Sequence, residues 1–368
     1  MNVAGLIGHA AVRYYVMGDR SFDDQATEEE LEQMASIVAT AVEKGAFGFS
    51  TNRFEPHKAP DGRSIPGTFA DVSELERITE EVAPRGGLMQ LVGASGDCLR
   101  AVGDKQNARV LFSYGNSGQP GAGRAAAEFL DKLCEGRDVT AISHVRGSGY
   151  MFGLQSGLPF RGQTWRELAN MDFEARLTAI KDDEFCSKLI SEAKEPKGSH
   201  VPLDKCYFLG AGEAPDYITS VSLAEQAEAA GEHWAETFLR LSRETDGRAL
   251  FNFRMFSTDI DEQADLFKSK HIYPGLGDAG AHVSQIMDAG WSSFLLSYWT
   301  RERGEFTLPE VIEKMTSGPA RVVGLGDRGI LAEGMRADIN VFDPATVSER
   351  QPVLVRDFPN DAPRYIQK

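Results

Sequence analysis

The sequence predicts an α/β fold, a (β/α)8 TIM-like barrel, on three observations. Short apolar strand signals alternate with amphipathic helix signals along most of the 368 residues. Each predicted strand ends in small or polar residues, as the mouth of a barrel requires. One of these ends, Tyr-Pro-Gly-Leu-Gly-Asp-Ala-Gly-Ala-His over residues 273–282, presents the carboxylate of Asp278 and the imidazole of His282 four residues apart.

Taken in order, residues 4–8 read as a strand and residues 28–44 as an amphipathic helix, opened by a Thr27/Glu30 capping box and stopped by Gly45. A strand at 47–50, a helix at 74–82 and a strand at 88–92 follow. Strands at 110–114 and 139–145 flank a helix at 124–133. Residues 147–220 break the rhythm with short helices and Pro-containing loops, the pattern of a lid-like insertion or of a plain packing elaboration. Alternation then resumes: helix 223–243, strand 250–256, helix 259–268 and strand 272–275. A last helix from 308 carries a capping box of Thr307 and Glu310.

Composition narrows the function. Fifty-five acidic against 39 basic residues give a formal charge of −16, which repels nucleic acid and anionic membranes. No apolar run is long enough to span a bilayer, and residues 1–19 lack a leader pattern, so a cytoplasmic protein is expected. Cys98, Cys134, Cys186 and Cys206 are scattered, which predicts reduced, buried thiols and neither disulfides nor a cysteine zinc site.

The candidate chemistry lies at strand ends. Asp278 is placed as a barrel-mouth acid, although an aspartate before small residues also caps helices. His282, one turn on, either faces the same site or bonds to backbone at a helix start. His144, in Ile-Ser-His-Val-Arg over 142–146, is either a metal ligand or a satisfied strand histidine, and Arg146 stands beside it. His9, Ser50 and Arg53 follow two earlier strands as second-rank substrate-binding candidates. His57, His200, His233 and His271 read as solvated.

The segment 316–343 carries Thr-Ser-Gly-Pro-Ala-Arg, then Gly-Leu, then Gly-Ile-Leu-Ala-Glu-Gly-Met-Arg-Ala-Asp. It resembles the C-terminal signature of the amidohydrolase superfamily. With the 275–282 run, Asn-Val-Ala-Gly-Leu-Ile-Gly-His over 2–9 and Gly-Ala-Phe-Gly-Phe-Ser-Thr over 45–51, the resemblance narrows to the N-acyl-D-amino-acid deacylase (D-aminoacylase) branch. It implies a barrel of the metal-dependent hydrolase type over residues 1–328, with the lid-like insertion at about 147–220 and the start of a small β-sandwich at 329–368. It also implies a divalent metal, zinc in the first instance, with Asp278 binding it and moving the proton of the attacking water, and His144 as a further ligand. Arg146 would clasp the carboxylate of an N-acyl amino acid through a two-pronged bond.

The departures matter as much. No two of the seven histidines lie two residues apart, so the His-x-His pair of that superfamily has no counterpart, and the strand 88–92 has no histidine. The expectation is a barrel incomplete at its N-terminus and an incomplete metal site, with a homo-oligomer covering open barrel edges. The function implied is hydrolysis of a linear amide C–N bond in an N-acyl amino acid or related small amide. The alternatives are a truncated or non-catalytic homologue acting as a binding or assembly subunit, and a metal-free barrel lyase or isomerase.

Overall fold

The computed structural model describes residues 3–275 and 289–367. Its first half lays down five strands: β1 (Leu6–Gly8), β2 (Gly48–Asn52), β3 (Leu88–Val92), β4 (Arg109–Ser113) and β5 (Asp138–Ser143). Each pairs in parallel with the next, and helices make the crossovers. The helix Glu28–Glu43 forms because Thr27 and Glu30 close a capping box and Met34, Ala35, Val38, Ala39 and Val42 line one face. That stripe packs with Leu75, Ile78 and Val82 of the helix Val72–Val82 in the core that also holds Phe49, Met89 and Leu91. Gly48 opens β2 at a φ of 153°, where an added Cβ would lie 2.0 Å from the Leu88 carbonyl oxygen. Only glycine lets the two strands approach so closely.

Beyond β5 the chain leaves this sheet. β6 (Ser148–Phe152), β7 (Cys206–Gly210) and β8 (Leu250–Phe256) form a separate antiparallel sheet in the order β6-β8-β7. The apolar run 250–256 is therefore the centre of the inserted sheet and not a barrel strand, so parallel alternation resumes later than the sequence pattern suggests. The helix expected over 223–243 is two, Leu223–Ala230 and Trp234–Glu244, parted where Gly231 takes a left-handed conformation. The inserted region has its own core, in which Phe160 lies between Trp165 (4.2 Å) and Trp234 (4.0 Å). Buried Arg176 stitches it together, donating to the carbonyls of Leu154, Ser156, Ala169 and Met171.

β9 (Ile272–Pro274) returns beside β5 and completes a six-stranded parallel sheet, β1-β2-β3-β4-β5-β9. The π-helical stretch Leu295–Glu302 is anchored by Trp299, whose indole N–H donates to the Val145 carbonyl at 2.9 Å. Helix Leu308–Met315 opens with the expected Thr307/Glu310 capping box. Past residue 323 the chain is irregular until β10 (Val353–Val355) pairs antiparallel with β11 (Arg364–Ile366). All four cysteines are buried and unbridged, as expected.

Candidate active site

Because the six strands are parallel, their C-terminal ends share one edge of the sheet. His9 directly follows β1, Arg53 follows β2, and His144 and Arg146 follow β5. Ser50 sits half-buried within β2, in register between Gly8 and Gln90. At β9, the Gly275 amide donates to the Ser143 carbonyl at 2.9 Å, which sets the end of that strand beside the end of β5. Asp278 and His282 lie outside the described residues.

His9 is buried, and both ring nitrogens are engaged: Nδ1 with the Thr51 hydroxyl at 2.8 Å and Nε2 with Glu74 Oε1 at 2.6 Å. The other Glu74 oxygen accepts from Arg13, whose Nε donates to the Ser21 carbonyl at 3.0 Å. Burial drives the Glu74 carboxyl upward, but the hydrogen bonds and charges of His9 and Arg13 outweigh it and hold the group below the usual carboxylate range. An added Cβ at Gly67 would come within 2.6 Å of the His9 ring, so the chain is closed down on this cluster. Each charge here has its partner.

The far side of the sheet differs. Arg146 is only 1 % exposed. Its Nη1 and Nη2 donate to the two oxygens of Glu349 at 2.6 and 2.8 Å, and its guanidinium lies 3.6 Å from the Tyr217 ring centre and 4.9 Å from that of Phe294. Arg146 was expected to clasp a substrate carboxylate; the two-pronged bond it makes here is to a carboxylate 203 residues further along the same chain. Arg254, on β8, is 4 % exposed and stacks 3.8 Å over the Tyr207 ring. Its Nη1 donates to the Thr219 carbonyl at 2.7 Å, whereas Nε and Nη2 have no hydrogen-bond partner among the described residues. Burial, reinforced by the nearby Arg146 charge and opposed by Tyr207 and Asp216, pushes its pKa down to about 10, which leaves it cationic at neutral pH.

The other candidates are placed as follows. His144 is half-buried; its ring stacks on Phe256 at 5.7 Å, and its carbonyl accepts from the Gln263 amide. Arg53 is half-buried, with Nη1 lacking a partner among the described residues. His57, His200 and His233, expected to be solvated, bond to Asn52, to Arg161 and to the Ala235 amide. A cavity of about 850 Å³, lined by Lys268, His271, Tyr273, Phe306, Lys314 and Arg321 among others, opens at the N-terminal end of β9, away from these groups. Among the described residues no three side chains of His, Cys, Asp or Glu converge as metal ligands would, so the described donors alone do not fit a metal centre.

Glu74, Glu349 and Arg254 were not singled out by the sequence. Arg254 has a local signal: with Asn252 it interrupts an otherwise apolar strand on one face, where an unpaired charge is costly. Glu74 and Glu349 meet partners 65 and 203 residues away and have none.

The sheet is parallel and α/β, and charged groups gather beyond the C-terminal ends of its strands, the edge at which barrel-type enzymes carry their chemistry. The amidohydrolase family model matches residues 273–357. N-acyl-D-glutamate deacylase of Alcaligenes xylosoxydans xylosoxydans is 28% identical over 364 residues, covering 95% of this chain and 62% of that protein; D-aminoacylase of the same organism is 23% identical over 370 residues, with the same coverage. The crystal structure of N-acyl-D-glutamate deacylase from Bordetella bronchiseptica, complexed with zinc and a phosphonate mimic of the tetrahedral intermediate, superposes with a TM-score of 0.57 at 24% identity, over 95% of this chain and 63% of that one. A D-aminoacylase structure gives 0.58 at 20% identity, with the same coverage. The chain thus spans less than two thirds of the length of these relatives. Residues 273–357 are thus similar to the amidohydrolase family, most of the chain is similar to deacylases of the D-aminoacylase type, and the fold is that of their solved structures.

Proposed function

We propose that the chain is a hydrolase of linear amide C–N bonds that acts on N-acyl amino acids, as the names of its relatives suggest. The observation that carries the substrate class is a buried arginine near the end of β5 with two donors unbonded among the described residues. Arg146 is answered by Glu349, whereas Arg254 has no carboxylate bonded to it among the described residues. A buried guanidinium with unbonded donors favours an anion, and every N-acyl amino acid carries one beside its amide.

In the proposed reaction a water oxygen adds to the acyl carbon while Asp278 takes its proton; the C–N bond then breaks, and that proton passes to the leaving nitrogen. The products are a carboxylate and an amine. His144, His282, Ser50 and Arg53 are assigned to the same edge, His282 on sequence grounds alone. His9, enclosed with Thr51 and Glu74, is reassigned from substrate binding to support of the strand end.

The proposal includes a divalent cation, zinc in the first instance, with Asp278 and His144 among its ligands. Since the described donors alone do not fit one, no step is assigned to it. A cytoplasmic location and self-association along the edges of β1 and β9 complete the proposal; no helix among the described residues is long and apolar enough to cross a membrane. The test is release of free amine from N-acyl amino acids by the zinc-supplemented chain, with zinc counted in the same samples. The expected result is turnover with about one bound metal per chain, both lost in Asp278→Ala. A metal-free chain without turnover overturns the assignment.

A further inference from the structure

The cavity of about 850 Å³ at the N-terminal end of β9 is lined in a way that packing alone does not require. It is bounded by residues 267–271, by Tyr273 on β9, by residues 305 and 306, and by the helix Leu308–Met315 with Arg321 beyond it. Sites for small organic ligands span about 300–1,000 Å³, so the space is large enough for one. One wall is fixed. The Tyr273 ring lies against the helix Ser317–Val322 at Gly318, where an added Cβ would be 2.1 Å from the ring carbon Cε1, so only glycine lets the two meet.

Lys314 projects into this space between two rings. It is half-buried, and its Nζ lies 5.9 Å from the ring centres of both Tyr273 and Phe306. Among the described residues Nζ has neither an ion pair nor a hydrogen bond. The two acids of its own helix are bonded elsewhere: Glu310 accepts from the Thr307 amide and hydroxyl, both at 2.7 Å, and Glu313 accepts from Arg321. Burial pushes the Lys314 ammonium below the usual lysine range, and Glu313 and Glu310 oppose this only from a distance. Lys268, on the same cavity, differs in that it is exposed and holds Asp265 at 2.7 Å. Contact with aromatic faces offsets part of the cost of desolvating an ammonium, but its N–H donors still need an acceptor.

We infer that this cavity binds a small carboxylate with an apolar or aromatic body. The carboxylate accepts from Lys314 Nζ, exposed Lys270 adds attraction from the rim, and the body packs on Tyr273, Phe306 and Pro309. A ligand with a second negative charge is disfavoured, because Glu305, Glu310 and Glu313 line the same space. The inference does not rest on the hydrolase assignment: the candidate active site lies beyond the C-terminal ends of the strands, and this cavity at the N-terminal end of β9.

The test is calorimetric titration of the whole chain with 3-phenylpropionate and with its neutral isostere 3-phenylpropanamide. The carboxylate should bind roughly tenfold more tightly than the amide. Lys314→Met, which keeps an unbranched stem against the two rings, should bring the carboxylate down to the affinity of the amide, and Lys314→Arg should keep most of the difference. Arg254→Met should leave the difference unchanged. Equal affinities for acid and amide in the unaltered chain overturn the inference, as does the absence of binding, or a loss that follows Arg254→Met and not Lys314→Met. If Lys314→Met does not fold, the unaltered chain decides through acetylation by acetic anhydride, read by peptide mass spectrometry. There 3-phenylpropionate should slow modification of Lys314 and not of exposed Lys188, and an unprotected Lys314 overturns the inference.

Discussion

Two charged clusters lie beyond the C-terminal ends of the same parallel sheet, and they are opposites. Around His9 on β1, one carboxylate, Glu74, accepts from a histidine and an arginine, a threonine hydroxyl takes the remaining ring nitrogen, and the chain closes over all of them. Beyond β5, buried Arg146 holds the carboxylate of Glu349, while buried Arg254 keeps two donors without partners among the described residues. Both clusters hold residues that a barrel-mouth argument selects from sequence. Position at a strand end therefore does not distinguish a supporting residue from a binding one; the balance of charge and hydrogen bonds does. Saturated clusters resist change and bind nothing further, while an unsaturated one costs stability and retains affinity for an anion.

The largest expected effect breaks the saturated side. Glu74→Ala strands the Arg13 guanidinium, 2 % exposed, in a site built for a carboxylate. Removing one partner of a buried ion pair costs about 3–5 kcal/mol. Urea unfolding should show that loss, whereas the preference among N-acyl amino acids in the folded fraction should not move. A loss below about 1 kcal/mol would mean that the cluster is no more than an exposed salt bridge in its energetics, and the contrast between the two sides would fail.

The next effect has the opposite sign. Arg254→Met removes a desolvated charge for which the described residues provide no carboxylate bond, and it keeps an unbranched side chain against Tyr207. Exchanging buried charge for apolar volume is neutral or stabilising by about 1–4 kcal/mol. Thermal unfolding should therefore rise or hold while anion binding falls, the trade expected where a charge is kept for function. Destabilisation as large as that of Glu74→Ala would place Arg254 with the supporting residues.

Much of this was legible in the sequence, for reasons that are local. The helix Glu28–Glu43 and its capping box, the strand Leu88–Val92 and the helix from Leu308 are set by contacts within a few residues, which periodicity and capping chemistry record. The strand Leu250–Phe256 was also legible as a strand, but nothing local tells a parallel barrel strand from the middle of an antiparallel sheet; its neighbours, β6 and β7, decide that. For Arg146 the resemblance implied a clasp on a substrate carboxylate, whereas the carboxylate bonded to it is that of Glu349, which no local pattern announces. His9 was legible as a strand-end histidine; its enclosure depends on Thr51 and Glu74, which only the fold brings together.

The smallest expected effect is the dependence on acid, and it sharpens the account of Glu74. Its carboxyl is pulled two ways, up by burial and further down by His9 and Arg13, so the net depression is the remainder of opposed effects and smaller than the cost of deleting the group. A carboxyl depressed in the folded state contributes stability above its unfolded pKa, about 4.3 for glutamate, and loses that contribution as the pH falls from there through the folded value. Unfolding free energies measured from about pH 7 downward should thus stay flat for this group until the ordinary glutamate range and decline below it. Glu74→Gln, which keeps the shape but cannot ionise, should remove that part of the decline at the expense of lower stability at neutral pH. Should the acid slopes of the two proteins coincide, Glu74 is not held as an anion by His9 and Arg13, and the saturated side of the sheet owes its stability to packing of Met34, Leu75 and Ile78.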